Sequence, residues 1–165
     1  MNNKDFVNLV IQSLESIPKE YRQPYEDVLY ERILCYEFYH QFRSRIRNSC
    51  SFVLHGELEK GYRGIDYIPD FVFHVPRTDK KNLAVMEFKS TKYSMEEIGE
   101  DLKKILHFRS DPLFYQLGVF VLFGPKEILV RKFSELDKLS RKSNVELLAI
   151  AYDIQSGRVI EMKPL

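Results

Sequence analysis

The sequence predicts an α/β fold, in which a mixed central sheet is flanked by helices and preceded by an extra N-terminal helix. Stretches with helical periodicity alternate with apolar runs of strand length, which is the pattern of a sheet covered by helices. Residues 83–89 and 117–123 are apolar at both alternating positions, as strands buried on both faces are. With 165 residues and no linker or repeat, the chain is expected to form a single domain over residues 1–165.

The N-terminal part of the chain predicts two helices. Apolar residues recur at helical spacing between residues 4 and 17, and Pro18 ends this stripe. A short loop leads to Pro24, which suits the first turn of a second helix over residues 24–47. That helix carries apolar side chains along one face, so we expect it to pack on the sheet.

The rest of the chain predicts six strands and two more helices. Ser94 and Glu97 form a capping box that opens a helix, and residues 126–142 form a highly charged helix. The expected strands are residues 52–58, 68–75, 83–89, 117–123, 145–152 and 158–162. The third of these is expected at the centre of the sheet, because it is apolar on both faces.

The composition excludes several classes of protein. The chain is 44% apolar and 30% charged, as an ordinary globular protein is and a disordered one is not, and no apolar run has the length of a membrane span. Its net charge of +1 neither supports nor excludes nucleic-acid binding, which depends on local patches. Cys35 and Cys50 lack metal-ligand spacing, and a reduced cytoplasmic protein is expected.

Common enzyme motifs are absent from the sequence. It has no P-loop, dinucleotide-binding fingerprint or nucleophile elbow. His55 and Glu57 match the His-x-Glu of zinc deaminases, but the Pro-Cys-x-x-Cys that should follow is missing.

Charged side chains interrupt two of the apolar strands. Asp70 begins one apolar stretch, while Glu87 and Lys89 interrupt the next. Burying a charge is costly unless it is paired or holds a metal ion. Side chains alternate along a strand, so Glu87 and Lys89 share a face, and Asp70 lies beside Glu87 if the two strands form a hairpin. Two carboxylates and an ammonium group would suit a hard divalent cation.

The pattern Pro69-Asp70, sixteen residues, Glu87-Phe88-Lys89 resembles the signature of the PD-(D/E)xK nuclease superfamily. The resemblance extends over roughly residues 24–123. It implies a restriction-endonuclease-like fold and Mg²⁺-dependent hydrolysis of DNA phosphodiester bonds, with Mn²⁺ as a substitute. It also implies that Asp70, Glu87 and the Phe88 backbone carbonyl hold the metal ion, and that Lys89 positions the attacking water.

Three further residues are candidates for the same site. Glu31 lies on the helical line of Cys35 and Phe38, which points toward the core side of the helix. The resemblance implies that an acidic residue of this helix is directed at the site, where Glu31 would hold a second metal ion or a water bound to it. It also implies a basic side chain from the helix after the motif, so Lys104 is expected to contact nucleic acid. Lys92, just after the motif, is expected to reach a phosphate.

Three interpretations of the chain remain open. It is a DNA nuclease, acting alone, as a homodimer or within a larger nuclease or mobile-element complex, with no membrane association. Alternatively, it is a catalytically inactive nuclease-like module that binds nucleic acid or a protein partner. In the third interpretation it is a plain interaction domain, where Asp70 is a turn carboxylate while Glu87 and Lys89 pair with protein groups. Divalent-ion binding with and without the Glu87 side chain distinguishes these cases.

Overall fold

The structure is a computed structural model that describes residues 1–23, 31–46, 50–57, 67–78, 81–110, 113–140 and 147–165. Its strands are β1 (Val53–Gly56), β2 (Phe71–His74), β3 (Asn82–Ser90), β4 (Leu117–Gly124), β5 (Leu148–Asp153) and β6 (Arg158–Pro164). Its helices are α1 (Asn3–Glu15), α2 (Lys19–Arg22), α3 (Glu31–Arg45), α4 (Met95–Arg109) and α5 (Lys126–Ser140).

The described strands form one mixed sheet, in which they lie side by side in chain order. β1, β2 and β3 form an antiparallel meander. β3, β4 and β5 run parallel to one another, and β6 returns antiparallel to β5. The central position that the apolar sequence of β3 predicts is confirmed, since this strand lies between β2 and β4.

A pair of helices covers each face of the sheet. α1 and α3 pack on one face, where Phe6, Phe38 and Phe88 belong to one buried cluster. α4 and α5 pack on the other face, where Ile105 and Phe133 belong to a second buried cluster. Successive side chains of a strand point to opposite faces, so each central strand contributes to both clusters. The predicted mixed sheet, its flanking helices and the extra N-terminal helix are therefore confirmed.

Several boundaries differ from the predicted ones. Residues 19–22 form the short helix α2, where the sequence predicts a loop. β2 begins at Phe71 rather than at residue 68, because Pro69 has no N–H to donate to a strand ladder. β1 ends at Gly56, and the next residue, Glu57, leaves the strand with a positive φ of 46°.

Some predicted segments fall partly outside the described residues. The helix expected over residues 24–47 corresponds to α3 in its described part. β5 begins at Leu148, and β6 extends two residues beyond its predicted end, to Pro164. None of the described helices combines the length and the apolar composition needed to cross a bilayer. The predicted positions that lie outside the described residues are 24–30, 47, 58, 141–142 and 145–146.

Candidate active site

β2 and β3 bring the Asp70 and Glu87 carboxyl groups together. Their antiparallel register pairs Phe71 with Met86, so the next pair of positions places Asp70 opposite Glu87 on the same face. A hydrogen bond joins the two carboxyl groups, and the Phe88 backbone N–H donates to Asp70 Oδ2 at 2.7 Å. Two ionised carboxylates cannot donate to each other, so one of them carries a proton.

Burial makes Glu87 the protonated member of this pair. Glu87 is 2% exposed, and no donor among the described residues reaches its Oε1 atom. This burial and the neighbouring Asp70 carboxylate raise the pKa of Glu87 to about 10. Burial also raises the pKa of Asp70, although the hydrogen bond from the Phe88 N–H acts in the opposite direction.

Asp101 connects two lysines to the site. It lies on α4 and is 4% exposed. Its Oδ2 atom lies 2.7 Å from Lys89 Nζ, and its Oδ1 atom lies 2.5 Å from Lys104 Nζ. Lys104 Nζ also lies 4.0 Å from Glu87 Oε2. The lysine that the structure pairs with Glu87 is therefore Lys104, while Lys89 pairs with Asp101.

Both lysines remain positively charged in this setting. Burial lowers the pKa of Lys89, but the hydrogen bond and charge of Asp101 outweigh burial, so the pKa is raised overall. Burial likewise lowers the pKa of Lys104, and the carboxyl groups of Glu87 and Asp101 raise it above its ordinary value. Two ammonium groups beside acidic side chains can stabilise negative charge on a bound group, but a protonated lysine cannot accept a proton.

Glu31 approaches the same end of β3 from the opposite layer. Its Oε2 atom accepts a hydrogen bond from the Ser90 backbone N–H at 3.0 Å. Packing fixes α3 here, since the Phe38 ring lies 4.8 Å from Phe88. Burial raises the pKa of Glu31, the Ser90 hydrogen bond lowers it, and the nearby Asp70 carboxylate raises it further. The structure thus brings Glu31, Asp70 and Glu87 to one end of β3.

The two remaining predicted groups lie at the margin of this cluster. Lys92 is exposed in the turn after β3, with its ammonium group 4.9 Å from the centre of the Tyr93 ring. The N–H and C=O of one strand residue point to the same side, so the Phe88 carbonyl faces the end of β2, as its N–H does. Lys92 is thus placed to meet a ligand from solvent, while the Phe88 carbonyl is directed toward Asp70.

The donors present suit an open divalent-cation site rather than a closed protein cage. Within the described ranges, no three or more His, Cys, Asp or Glu side chains converge in a way that could hold a metal ion. Mg²⁺ keeps several of its waters and is commonly held by one or two carboxylates. Asp70, Glu87 and the Phe88 carbonyl fit that requirement once the shared proton is lost. Burial and the surrounding carboxylates raise the pKa of the nearby Cys35 thiol, so it stays protonated.

Comparison of the chain with models of known protein families, with curated proteins and with solved structures finds no significant match.

Asp101 is the residue of the site that the sequence did not single out. It lies among Ile98, Leu102 and Ile105 on the inward stripe of α4, where a carboxylate is unusual. A carboxylate on an apolar helix face is a feature by which Asp101 could have been recognised in the sequence. Its contacts with Lys89 and Lys104 depend on how α4 packs against β3, so the sequence alone could not give them.

Proposed function

We propose that this chain hydrolyses DNA phosphodiester bonds with a divalent cation bound at Asp70 and Glu87. The observation that carries the proposal is the pairing of these two carboxyl groups in a largely buried position, where a shared proton now offsets their mutual repulsion. Acidic groups that are costly to bury and perturbed in pKa occur preferentially at functional sites. Mg²⁺, or Mn²⁺ in its place, would relieve the same repulsion by replacing the proton.

The fold supports this proposal. The segment from α3 to β4 has the order αβββαβ, with the antiparallel meander β1–β2–β3 followed by the parallel pair β3–β4. We propose that it is a restriction-endonuclease-like core, with α1 and α2 before it and α5, β5 and β6 after it. In this interpretation Asp70 and Glu87 occupy the positions that the PD-(D/E)xK signature implies.

The residues around the carboxyl pair have distinct roles in the proposal. Asp70 and Glu87, with the Phe88 carbonyl, hold the cation, which when bound supplies positive charge to the scissile phosphate and acidifies water. Lys89 and Lys104 add fixed positive charge where negative charge develops. Asp101 holds both ammonium groups in position.

Glu31 and Lys92 complete the assignment. Glu31 is anchored by the Ser90 N–H through one oxygen, Oε2. We assign it to a second cation or to a water molecule on the α3 side. Lys92 is exposed beside the end of β3 and is assigned to a DNA phosphate.

A cleavage assay tests the proposal. The purified chain is incubated with plasmid, linear, branched and single-stranded DNA in Mg²⁺, Mn²⁺, Ca²⁺ or EDTA. We expect cleavage of at least one form in Mg²⁺ or Mn²⁺ and binding without cleavage in Ca²⁺, which is larger and acidifies water less. Asp70→Asn and Glu87→Gln should abolish cleavage, whereas the exposed Glu96→Gln on α4 serves as the matched control. Cleavage that survives both site variants would reject the site.

A second candidate function is a nuclease-like module that binds nucleic acid or a protein partner without cutting. The observation in its favour is that charged side chains of the site already have partners within the protein. Lys89 is paired with Asp101, and Glu87 shares its proton with Asp70. Such a module would bind its partner without a divalent cation and would cut no form of DNA, which the same metal series measures.

A further inference from the structure

A cleft of about 460 Å³ opens beside the candidate active site. Tyr36 and Tyr39 of α3 line it together with Phe71 of β2, and Glu31 and Asp70 also belong to its lining. The cleft is therefore continuous with the carboxyl cluster. Its volume lies within the range of pockets that hold small organic groups.

The tyrosines give this cleft an aromatic wall. The Tyr39 ring is stacked on Phe71, with ring centroids 6.2 Å apart and planes inclined by 13°. Tyr36 lies one helical turn before Tyr39, and it is 62% exposed despite its large ring. Tyr39 is thus held in place by the core, while Tyr36 offers an open ring to a ligand.

The charges along the cleft favour a flat, uncharged group over a bare phosphate. Glu31, Glu57 and Asp70 are acidic and would repel an anion. Arg32 supplies positive charge, and its 3.1 Å pair with Glu57 is largely exposed, so solvent screening leaves it weak and exchangeable. A nucleotide would therefore place its base against the tyrosines, while its phosphate would need the divalent cation at the carboxyl groups.

We propose that this cleft binds an unpaired DNA base stacked on Tyr36, and that the substrate is single-stranded DNA or the unpaired part of a DNA structure. The inference rests on the proposed nuclease function and names its substrate class. Within a duplex the faces of each base are covered by neighbouring bases, so an aromatic wall can stack only on a base that is unpaired or extruded. Stacking is tolerant of sequence, because every base has an aromatic face.

Binding in Ca²⁺ tests the cleft without relying on cleavage. Fluorescence anisotropy measures the affinity for a labelled single-stranded DNA, the matching duplex and an RNA of the same sequence. We expect the single-stranded DNA to bind at least about tenfold more tightly than the duplex. Tyr36→Ala should weaken its binding by about 5- to 150-fold, the range for loss of one stacked base. Tyr36→Phe keeps the ring and should bind like the parent, as should the exposed-tyrosine control Tyr21→Ala on α2, which does not belong to the lining of the cleft.

An abasic nucleotide identifies the stacked position. Moved along the single strand, it should weaken binding to the parent protein at one position and cause no further loss at that position in Tyr36→Ala. Equal or tighter duplex binding, tighter RNA binding, or an unchanged Tyr36→Ala affinity would overturn the cleft assignment. If Tyr36-dependent binding occurs but no Mg²⁺-dependent cleavage does, the nuclease proposal falls and the cleft stands as a single-strand binding site. If cleavage occurs without a Tyr36 effect, the cleft assignment alone is wrong.

Discussion

Glu87 should make the stability of the protein fall as the pH rises. Its pKa is about 10 in the folded protein against 4.5 as the ordinary value, so the folded state holds a proton that the unfolded chain releases. The stabilisation from this proton is fully present below pH 4.5 and is lost as the pH rises toward 10. Within that window the free energy of unfolding decreases by about 1.4 kcal/mol per pH unit.

The size of the effect is therefore predictable for Glu87→Gln. Glutamine keeps the shape and the donor of a protonated glutamate but does not titrate. Between pH 7 and pH 9 the parent protein should lose about 2.7 kcal/mol more stability than the variant. The contributions of the other titrating groups cancel in the comparison of the parent protein with the variant.

Urea unfolding followed by circular dichroism, at half-unit pH intervals in EDTA, measures this difference. Saturating Mg²⁺ should remove this pH dependence from the parent protein, because Glu87 would then be ionised both in the cation-bound folded state and in the unfolded chain. Glu87→Gln should show little gain from Mg²⁺. Parallel stability curves for the parent and Glu87→Gln in EDTA would refute the reasoning, since they would mean that Glu87 is ionised throughout this range.

Four further substitutions have definite expected outcomes. Lys89→Ala should lower kcat by about 10²–10³-fold while leaving DNA affinity in Ca²⁺ within a few-fold, and Lys104→Ala should lower kcat by a similar factor, as single-turnover cleavage and anisotropy measure. Asp101→Asn should cost about 1–3 kcal/mol in urea unfolding, because two ammonium groups lose their shared carboxylate. Phe38→Ala should cost about 3–5 kcal/mol, because a fully buried ring is replaced by a cavity. An unchanged midpoint in either unfolding experiment, or full activity in both lysine variants, would contradict these assignments.

The juxtaposition of Asp70 and Glu87 was predictable because it depends on local rules. Strand side chains alternate with a period of two, and a meander of adjacent strands fixes which residues face each other. The apolar sequence of β3 likewise indicates burial on both faces, which its central position bears out. The approach of Glu31 follows from its position on the buried line of α3.

The ion-pair partners of the lysines were harder to predict from the sequence. Lys89 shares a strand face with Glu87, so the sequence predicts that its ammonium group lies beside the carboxyl pair. In the structure it turns to Asp101, because α4 packs on that face and brings a buried carboxylate within reach. The exposure of Tyr36 within a cleft also depends on how α3 meets β2, which no local pattern specifies.

A crystal of the protein soaked in Mn²⁺ at a pH near 8 tests the central claim most directly. We predict one anomalous-scattering peak between Asp70 and Glu87, with carboxylate oxygens at roughly 2.1 Å and the hydrogen bond between the two side chains broken. The same soak of Glu87→Gln should give no peak at this position. Parent crystals without a peak there, in which Glu87 still donates to Asp70, would contradict the claim that these carboxyl groups form the cation site.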